Sequence, residues 1–326
     1  MSERTPDVSV VIPSHNRRLR LRWLLNALED QTLPRERFEV IVVHTYDDRD
    51  AADLFDRHPL HVDGTLRHIQ IPAGTGSAAK QRNLGWRAAQ APLVAFTDDD
   101  CRTGDRWLEE LLAVADGHPG AIVQGKTLGD PLENDCWASP HARVVQEFDP
   151  PGRFGQTCNI LYPVAVLDAI EGFDEVHGAP AGEDTDLLLR ARATGAGYEG
   201  APEAVVYHAV EGYSLVGALR LARKWEDVVL MTKRHPEIRQ TYPLRIFWRA
   251  THLRLVVALI GLMLARRNIV FALLALPYLE YQLRQRGTHL KARAATAVEL
   301  PGRVVVDCVE LGVMVKGSIK HRTVVL

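Results

Sequence analysis

Four short apolar runs, at 8–12, 38–43, 66–71 and 93–96, alternate with segments whose apolar residues recur at helical spacing. Runs this brief are too short to be buried helices. Each must find hydrogen-bond partners on both sides, which a sheet of strands joined by right-handed crossover helices supplies. The first run ends at Pro13, and Leu19, Trp23, Leu24 and Leu28 then mark a helix over 17–30. Another helix is expected over 77–89, with Ser77 as its N-cap, and a third over 107–115. The pattern predicts an α/β fold, a Rossmann-like and mainly parallel sheet flanked by helices. Such sheets bind ligands beyond the carboxyl ends of their strands. Thr97-Asp98-Asp99-Asp100 stands at one of those ends.

Charge divides the chain. Residues 217–326 hold 19 Lys/Arg against 7 Asp/Glu, a net of +12, whereas residues 1–216 hold 20 against 34, a net of −14. An acidic region suits bound cations, and a basic one suits an anionic partner such as a phospholipid surface. The basic part contains two apolar stretches, 253–265 and 269–279, separated by Arg266, Arg267 and Asn268. Arg249, Arg254, Arg284 and Arg286 flank them. Each is shorter than the ~20 residues a spanning helix requires. The reading preferred here is a pair of helices in the membrane interface, with arginines on the headgroups. A hairpin packed on the rest of the protein, or two slightly extended spans, would also fit. No nucleic-acid-binding module is recognisable, so nucleic acid is not an expected partner. Cys101, Cys136, Cys158 and Cys308 are scattered without a C-x-x-C pair, which predicts neither a structural zinc site nor a disulfide framework. Residues 1–8 lack the apolar core of a signal peptide. The expected setting is therefore cytoplasmic, peripheral or shallowly inserted at the membrane.

Asp98-Asp99-Asp100 is the strongest chemical signal. Adjacent carboxylates repel one another unless a cation lies among them, and oxygen ligands with few partners favour Mg²⁺ or Mn²⁺ completed by substrate phosphates. A solvated turn capping the next helix is the ordinary alternative, and the position after a buried strand argues against it. Gly182-Glu183-Asp184-Thr185-Asp186 opens a second helical segment. Its acids could simply complement the helix dipole, or one could be a general base. Lys80, Arg82 and Asn83 follow the loop Gly74-Thr75-Gly76, where a small-residue turn before a helix can approach phosphate. Gly74-x-Gly76-x-x-Ala79 imitates a dinucleotide fingerprint, but it lies deep in the fold rather than in the first turn. His208, near the end of a β-branched run, is a candidate third metal ligand.

In this order the motifs resemble family 2 glycosyltransferases. Val10-Val11-Ile12-Pro13-Ser14-His15-Asn16-Arg17 resembles the family's opening strand and turn, and Phe96-Thr97-Asp98-Asp99-Asp100-Cys101 with Trp107-Leu108 its D-x-D segment. Asn159, Gly172-Phe173-Asp174-Glu175 and Gly182-Glu183-Asp184-Thr185-Asp186-Leu187 with Arg190 resemble its acceptor segment and ED motif. The resemblance implies a GT-A fold over 1–215, with a nucleotide-sugar half at about 1–101 and an acceptor half at 102–215, followed by a basic helical, membrane-associating extension at 216–326. It implies an inverting, non-processive transfer of one sugar from a nucleotide-sugar to an acceptor hydroxyl that the motifs do not specify. Asp184 would be the catalytic base, with Glu183 and Asn159 positioning the acceptor. Pro13, Asn16, Arg17, Asp47, Lys80, Arg82, Asn83, Asp98 and Asp99 would bind the donor. Asp98, Asp100 and His208 would hold Mg²⁺ or Mn²⁺. The second strand of such enzymes ends in an aspartate that reads the base. Here the stretch is His44-Thr45-Tyr46-Asp47-Asp48, and Arg220-x-x-Arg223-Lys224-Trp225 only approximates the processive motif. A nucleotidyltransferase would place a Gly-rich basic loop where Pro13-Ser14-His15-Asn16 stands. A non-catalytic nucleotide- or carbohydrate-binding relative would not need both acidic clusters.

Overall fold

A computed structural model describes residues 5–133, 143–144, 146–176, 181–285, 287 and 289–326, and the chain separates into two compact units. Unit 1 comprises Met1–Asn134 and Val145–Val210; unit 2 comprises Asp135–Val144 and Glu211–Leu326.

The strands of unit 1 are β1 (Val8–Ser14), β2 (Phe38–His44), β3 (Leu66–Gln70), β4 (Leu93–Phe96), β5 (Cys101–Thr103) and β6 (Ile122–Gly129), then β8 (Ile160–Pro163) and β9 (Tyr198–His208). They form one sheet in the order β3-β2-β1-β4-β8-β6-β9-β5. The helices are α1 (Arg18–Glu29), α2 (Asp48–Phe55), α3 (Pro59–Val62), α4 (Ala78–Arg87), α5 (Trp107–Gly117), α6 (Val164–Ala169) and α7 (Glu183–Ala193). Ser77 caps α4 as expected, its hydroxyl accepting from Lys80 N.

The period-two rule explains why β1 is buried on both faces. Val8, Val10 and Ile12 pack with Leu21, Leu24, Leu25 and Leu28 of α1 on one side. Val11 faces the opposite layer with Ile41, Val43 and Trp86. The chain runs outward from β1 through β2 to β3, then returns to β4 on the other side of β1. That reversal opens a crevice beyond β1 and β4, the place where open sheets hold ligands.

The sheet is mixed, which corrects the mainly parallel expectation. β3/β2, β2/β1, β1/β4 and β6/β9 are parallel, but β8 runs against both β4 and β6, and the edge strand β5 runs against β9. The cause is local: β5 follows β4 through the Asp98-Asp99-Asp100 turn, with no crossover helix between them, and β8 is entered from a segment of turns and bends over 149–159 rather than from a helix.

Unit 2 pairs β7 (Arg143–Val144) with β10 (Glu211–Gly212) and adds α8 (Leu215–Leu221), α9 (Trp225–Arg234), α10 (Ala250–Leu264), α11 (Leu276–Leu283) and α12 (Leu290–His321). The second apolar stretch is not one helix: Ile269–Ala275 is a 3-10 segment, and α11 begins where Pro277 can occupy a first-turn position. Among the described residues no helix is long and apolar enough to cross a membrane.

Gly85 lets α4 lie against the sheet, because a Cβ there would stand 2.4 Å from Val11 Cγ1. Gly85→Ala is expected to destabilise unit 1 by about 1–3 kcal/mol through overpacking, despite the better helix propensity of alanine. Urea unfolding of the two proteins checks this; an unchanged midpoint would refute the close-approach account.

Candidate active site

The crevice gathers acids from the β4–β5 turn and from the start of α7. Asp98, Asp99 and Asp100 leave β4, and Gly182, at φ 96°, turns the chain into Glu183 and Asp184. That backbone angle favours glycine, which has no Cβ to clash. Arg82, projecting from α4, joins the two groups. Its Nη2 lies 2.7 Å from Asp98 Oδ1, and its Nη1 lies 3.4 Å from Glu183 Oε1 and 3.6 Å from Asp184 Oδ1. The guanidinium is 5% exposed. Burial pulls its pKa down, but Asp98, Asp184 and Glu183 together raise it above the ordinary arginine value. Arg82 Nε is buried without a partner among the described residues.

The carboxylates respond to this setting. Burial, with Asp184 adding repulsion and Arg82 only partly offsetting it, pushes Glu183 up to about 8. Asp184 is also raised by burial, while Arg82 and Thr157 favour its ionised form. Thr157 donates to it twice, from its hydroxyl to Oδ1 at 2.8 Å and from its backbone N–H to Oδ2 at 3.1 Å. Asp99 accepts from Ser14 Oγ at 2.7 Å and His15 N at 3.1 Å, and burial beside Asp100 pushes it up to about 7.

Asp100 lies between two cationic or metal-ligating groups. Its Oδ2 accepts from Arg17 at 2.6 Å, and its Oδ1 lies 3.6 Å from His208 Nε2. Strand pairing makes this possible, because Cys101 of β5 is opposite His208 of β9. Neighbouring ligands on an octahedral Mg²⁺ or Mn²⁺ are about 3 Å apart, so a small movement would let both reach one ion. The other ring nitrogen, Nδ1, lies 2.8 Å from Ala209 O, and if it carries the proton Nε2 is left with a lone pair. Among the described residues Asp100, Cys101 and His208 form the metal-ligand grouping, their donor atoms within 4.8 Å of one another. Carboxylate and imidazole donors fit Mg²⁺ or Mn²⁺. Asp98, expected as a further ligand, is turned to Arg82.

Other expected site residues have different positions. Asn159 is fully buried; its Oδ1 accepts from Trp107 Nε1, and its Nδ2 donates to Lys126 O and Ala204 O. The amide ties β6, β8, β9 and α5 together. Asn83 is also engaged within the protein: it accepts from Phe173 N and Trp86 Nε1 and donates to Phe173 O and Glu175. Asp47 is exposed and caps α2 by accepting from Asp50 N. Lys80 Nζ donates to Thr75 O, and Pro13 is buried within β1. Asn16, at φ 57°, and Arg17 form the exit from β1 beside Asp99 and Asp100. Sequence reasoning did not identify Ser14, Tyr46 or Thr157. Tyr46 lies 2.7 Å from Ser14 Oγ and accepts from Arg17 N, holding the turn over Asp99.

Residues 9–168 match glycosyl transferase family 2. A validoxylamine A glucosyltransferase of Streptomyces hygroscopicus subsp. jinggangensis is 28% identical over 239 residues, 58% of this chain and 52% of that protein. The chain thus spans about half the length of that relative. The poly(ribitol-phosphate) β-N-acetylglucosaminyltransferase TarS of Staphylococcus aureus is 26% identical over 121 residues, 37% of this chain and 21% of its own. Among solved structures, the mannosyltransferase PcManGT of Pyrobaculum calidifontis, in complex with GDP-Man and Mn²⁺, superposes with a TM-score of 0.57 at 19% identity, covering 96% of this chain and 87% of that one. TarS residues 1–349 with UDP-GlcNAc give 0.52 at 16% identity, covering 97% and 92%. These share the GT-A type α/β fold.

Glu183 has an ordinary value of 4.5 and is raised in the folded protein, so the native state favours its protonated form. Its contribution is complete below that ordinary value and is lost as pH rises through about 8. In chelator-treated protein, unfolding free energy is expected to fall as pH rises across this window, and Glu183→Gln to reduce the slope. Equal slopes in the two proteins would remove Glu183 as its source.

Proposed function

The chain belongs to glycosyl transferase family 2, and from that premise we propose that it transfers a single sugar from a nucleoside-diphosphate sugar to an acceptor hydroxyl with inversion at the anomeric carbon. One observation carries this reading. Arg82 draws the β4–β5 acids and the α7 acids, from segments 85 residues apart between Asp98 and Glu183, into one buried cluster. A donor-side acidic turn and an acceptor-side base then share one crevice.

In this reading Asp184 accepts the acceptor's proton as the hydroxyl attacks the anomeric carbon opposite the leaving diphosphate. Its two hydrogen bonds from Thr157 hold the carboxylate in place, and its pKa, raised by burial, improves its match to a base working near neutrality. Arg17 and Arg82 supply fixed positive charge beside the acids. Asp100 and His208 would hold Mg²⁺ or Mn²⁺, which would neutralise charge on the diphosphate when bound. Glu183, raised further than the ordinary carboxylate range, would be a proton-bearing group that hydrogen-bonds the acceptor. The complexes of PcManGT with GDP-Man and of TarS with UDP-GlcNAc support a nucleotide-sugar donor here.

We further propose that unit 2 docks on an anionic membrane surface at the cytoplasmic face. Leu259, Ile260, Leu262 and Met263 of α10 and Ile269, Val270, Phe271 and Leu273 beyond it are exposed, and Arg266 and Arg267 lie between them. Apolar side chains with adjacent arginines suit the acyl–headgroup boundary.

A panel of UDP-, GDP- and dTDP-sugars with Mn²⁺, read by donor hydrolysis and thermal stabilisation, tests the transfer reading. Asp100→Ala is expected to abolish Mn²⁺-dependent donor binding. Asp184→Asn should retain that binding while losing about 10²–10⁴-fold in transfer, the usual contribution of a positioned base. Near-normal transfer by Asp184→Asn would assign the base elsewhere. For the membrane reading, the full chain should float with vesicles containing phosphatidylglycerol and less with pure phosphatidylcholine; equal recovery from both would defeat it.

A further inference from the structure

A second concavity in unit 1 lies along the flank of α1, outside the acidic cluster. Trp23, Asn26, Ala27 and Asp30 follow helical spacing and form one wall, facing Arg102–Asp105 at the edge of the sheet and Leu132 with Glu133. The concavity is open to solvent on one side and has a volume of about 440 Å³, within the ordinary range of small-molecule sites.

The walls are held by contacts that leave the interior free. Gln31 donates to Gly104 O at 2.6 Å and accepts from Leu108 N, fastening the end of α1 to the opposite wall. Arg102 donates twice to Asp130 and stacks 4.7 Å from the Tyr207 ring. Glu133 accepts from Arg20 at 2.6 Å and from Val210 N at 2.7 Å. Both charges are therefore compensated. What remains is an indole 44% exposed and the exposed carboxylates of Asp30 and Asp105, none of the three with a partner among the described residues.

This combination selects one ligand chemistry. Two uncompensated carboxylates repel phosphate, nucleotide and other anions. A large aromatic face beside Ala27 and Leu132 offers nothing to a bare cation that these acids alone would not. An apolar face with hydrogen-bond acceptors at its margin fits a ring that has C–H groups on its flat side and hydroxyls on its edge. We propose that this cavity binds a neutral saccharide, one ring stacked on Trp23 with hydroxyls donating to Asp30 and Asp105. Trp23 lies six residues beyond Arg17, a rise of roughly 9 Å along the α1 axis. Binding itself stands apart from the transfer reading; only the identification of the glycan as part of the acceptor rests on it.

Saturation-transfer NMR on the full chain with maltotriose, cellotriose, chitotriose and mannotriose tests the site. At least one trisaccharide should receive saturation at its ring C–H protons and bind about tenfold more weakly to Trp23→Ala, the effect of removing an aromatic anchor. Asp30→Asn and Asp105→Asn, both at exposed positions, should each weaken binding in protein of unchanged circular dichroism. Binding should persist in Asp100→Ala and in the presence of UDP, GDP and Mn²⁺, even if none of the nucleotide-sugars is turned over. Absence of binding by all four sugars, undiminished binding by Trp23→Ala, or displacement by a nucleotide would each overturn the proposal.

Discussion

A guanidinium buried among three carboxylates is the arrangement on which the crevice depends. Glu183 and Arg82 have almost no access to solvent, and Asp98 and Asp184 have little. Ions in such surroundings lose several kcal/mol of hydration each, and their mutual attraction recovers it only with good geometry. Arg82 contacts all three acids, with its closest approach to Asp98. Three acids around one cation still leave negative charge in excess, and burial first, then repulsion from Asp184, raise the pKa of Glu183.

The same logic applies on the other side of the crevice. Asp99 is surrounded by donors from Ser14, His15 and Arg17, yet its pKa is still raised, because it is buried and Asp100 repeats the charge next to it. Two arginines from different elements therefore divide the acids between them, Arg17 with Asp99 and Asp100, and Arg82 with Asp98, Glu183 and Asp184. A group that brings further positive charge would find acids already assembled.

The legible part of the fold was the part controlled by local pattern. β1, β2 and β4 fall where their β-branched runs place them, and Ser77 caps α4 because a hydroxyl before a helical run has an orphan N–H to meet. The direction of β8 was not legible, since Ile160–Pro163 reads as a buried strand whichever way it runs. The partners of the buried asparagines were not legible for a related reason. Asn159 and Asn83 stand beside functional motifs in sequence, but each amide is committed to backbone groups of other elements, and nothing in the neighbouring residues reports those partners. Thr157 was invisible for the same cause: its bond to Asp184 crosses 27 residues.

Adjacent acids at the head of α7 need not share a role, and their surroundings separate them. The Glu183 side chain is 6% exposed and the Asp184 side chain 22%. Glu183 lies farther from water, and its pKa rises to about 8, so near neutrality it carries a proton and can donate a hydrogen bond. Asp184 is also raised, but two donors from Thr157 stabilise its charged form and hold both oxygens in fixed directions. A base must be ionised before it acts, accessible to the proton it takes, and oriented toward it. In the proposed transfer Asp184 takes that role, because Thr157 holds both its oxygens and its side chain is the more exposed of the two. One residue of difference along a helix rotates the side chain by about 100°, which gives the two acids different neighbours. Under the proposed transfer these surroundings give the two carboxylates different roles, as they do wherever paired acids divide their labour.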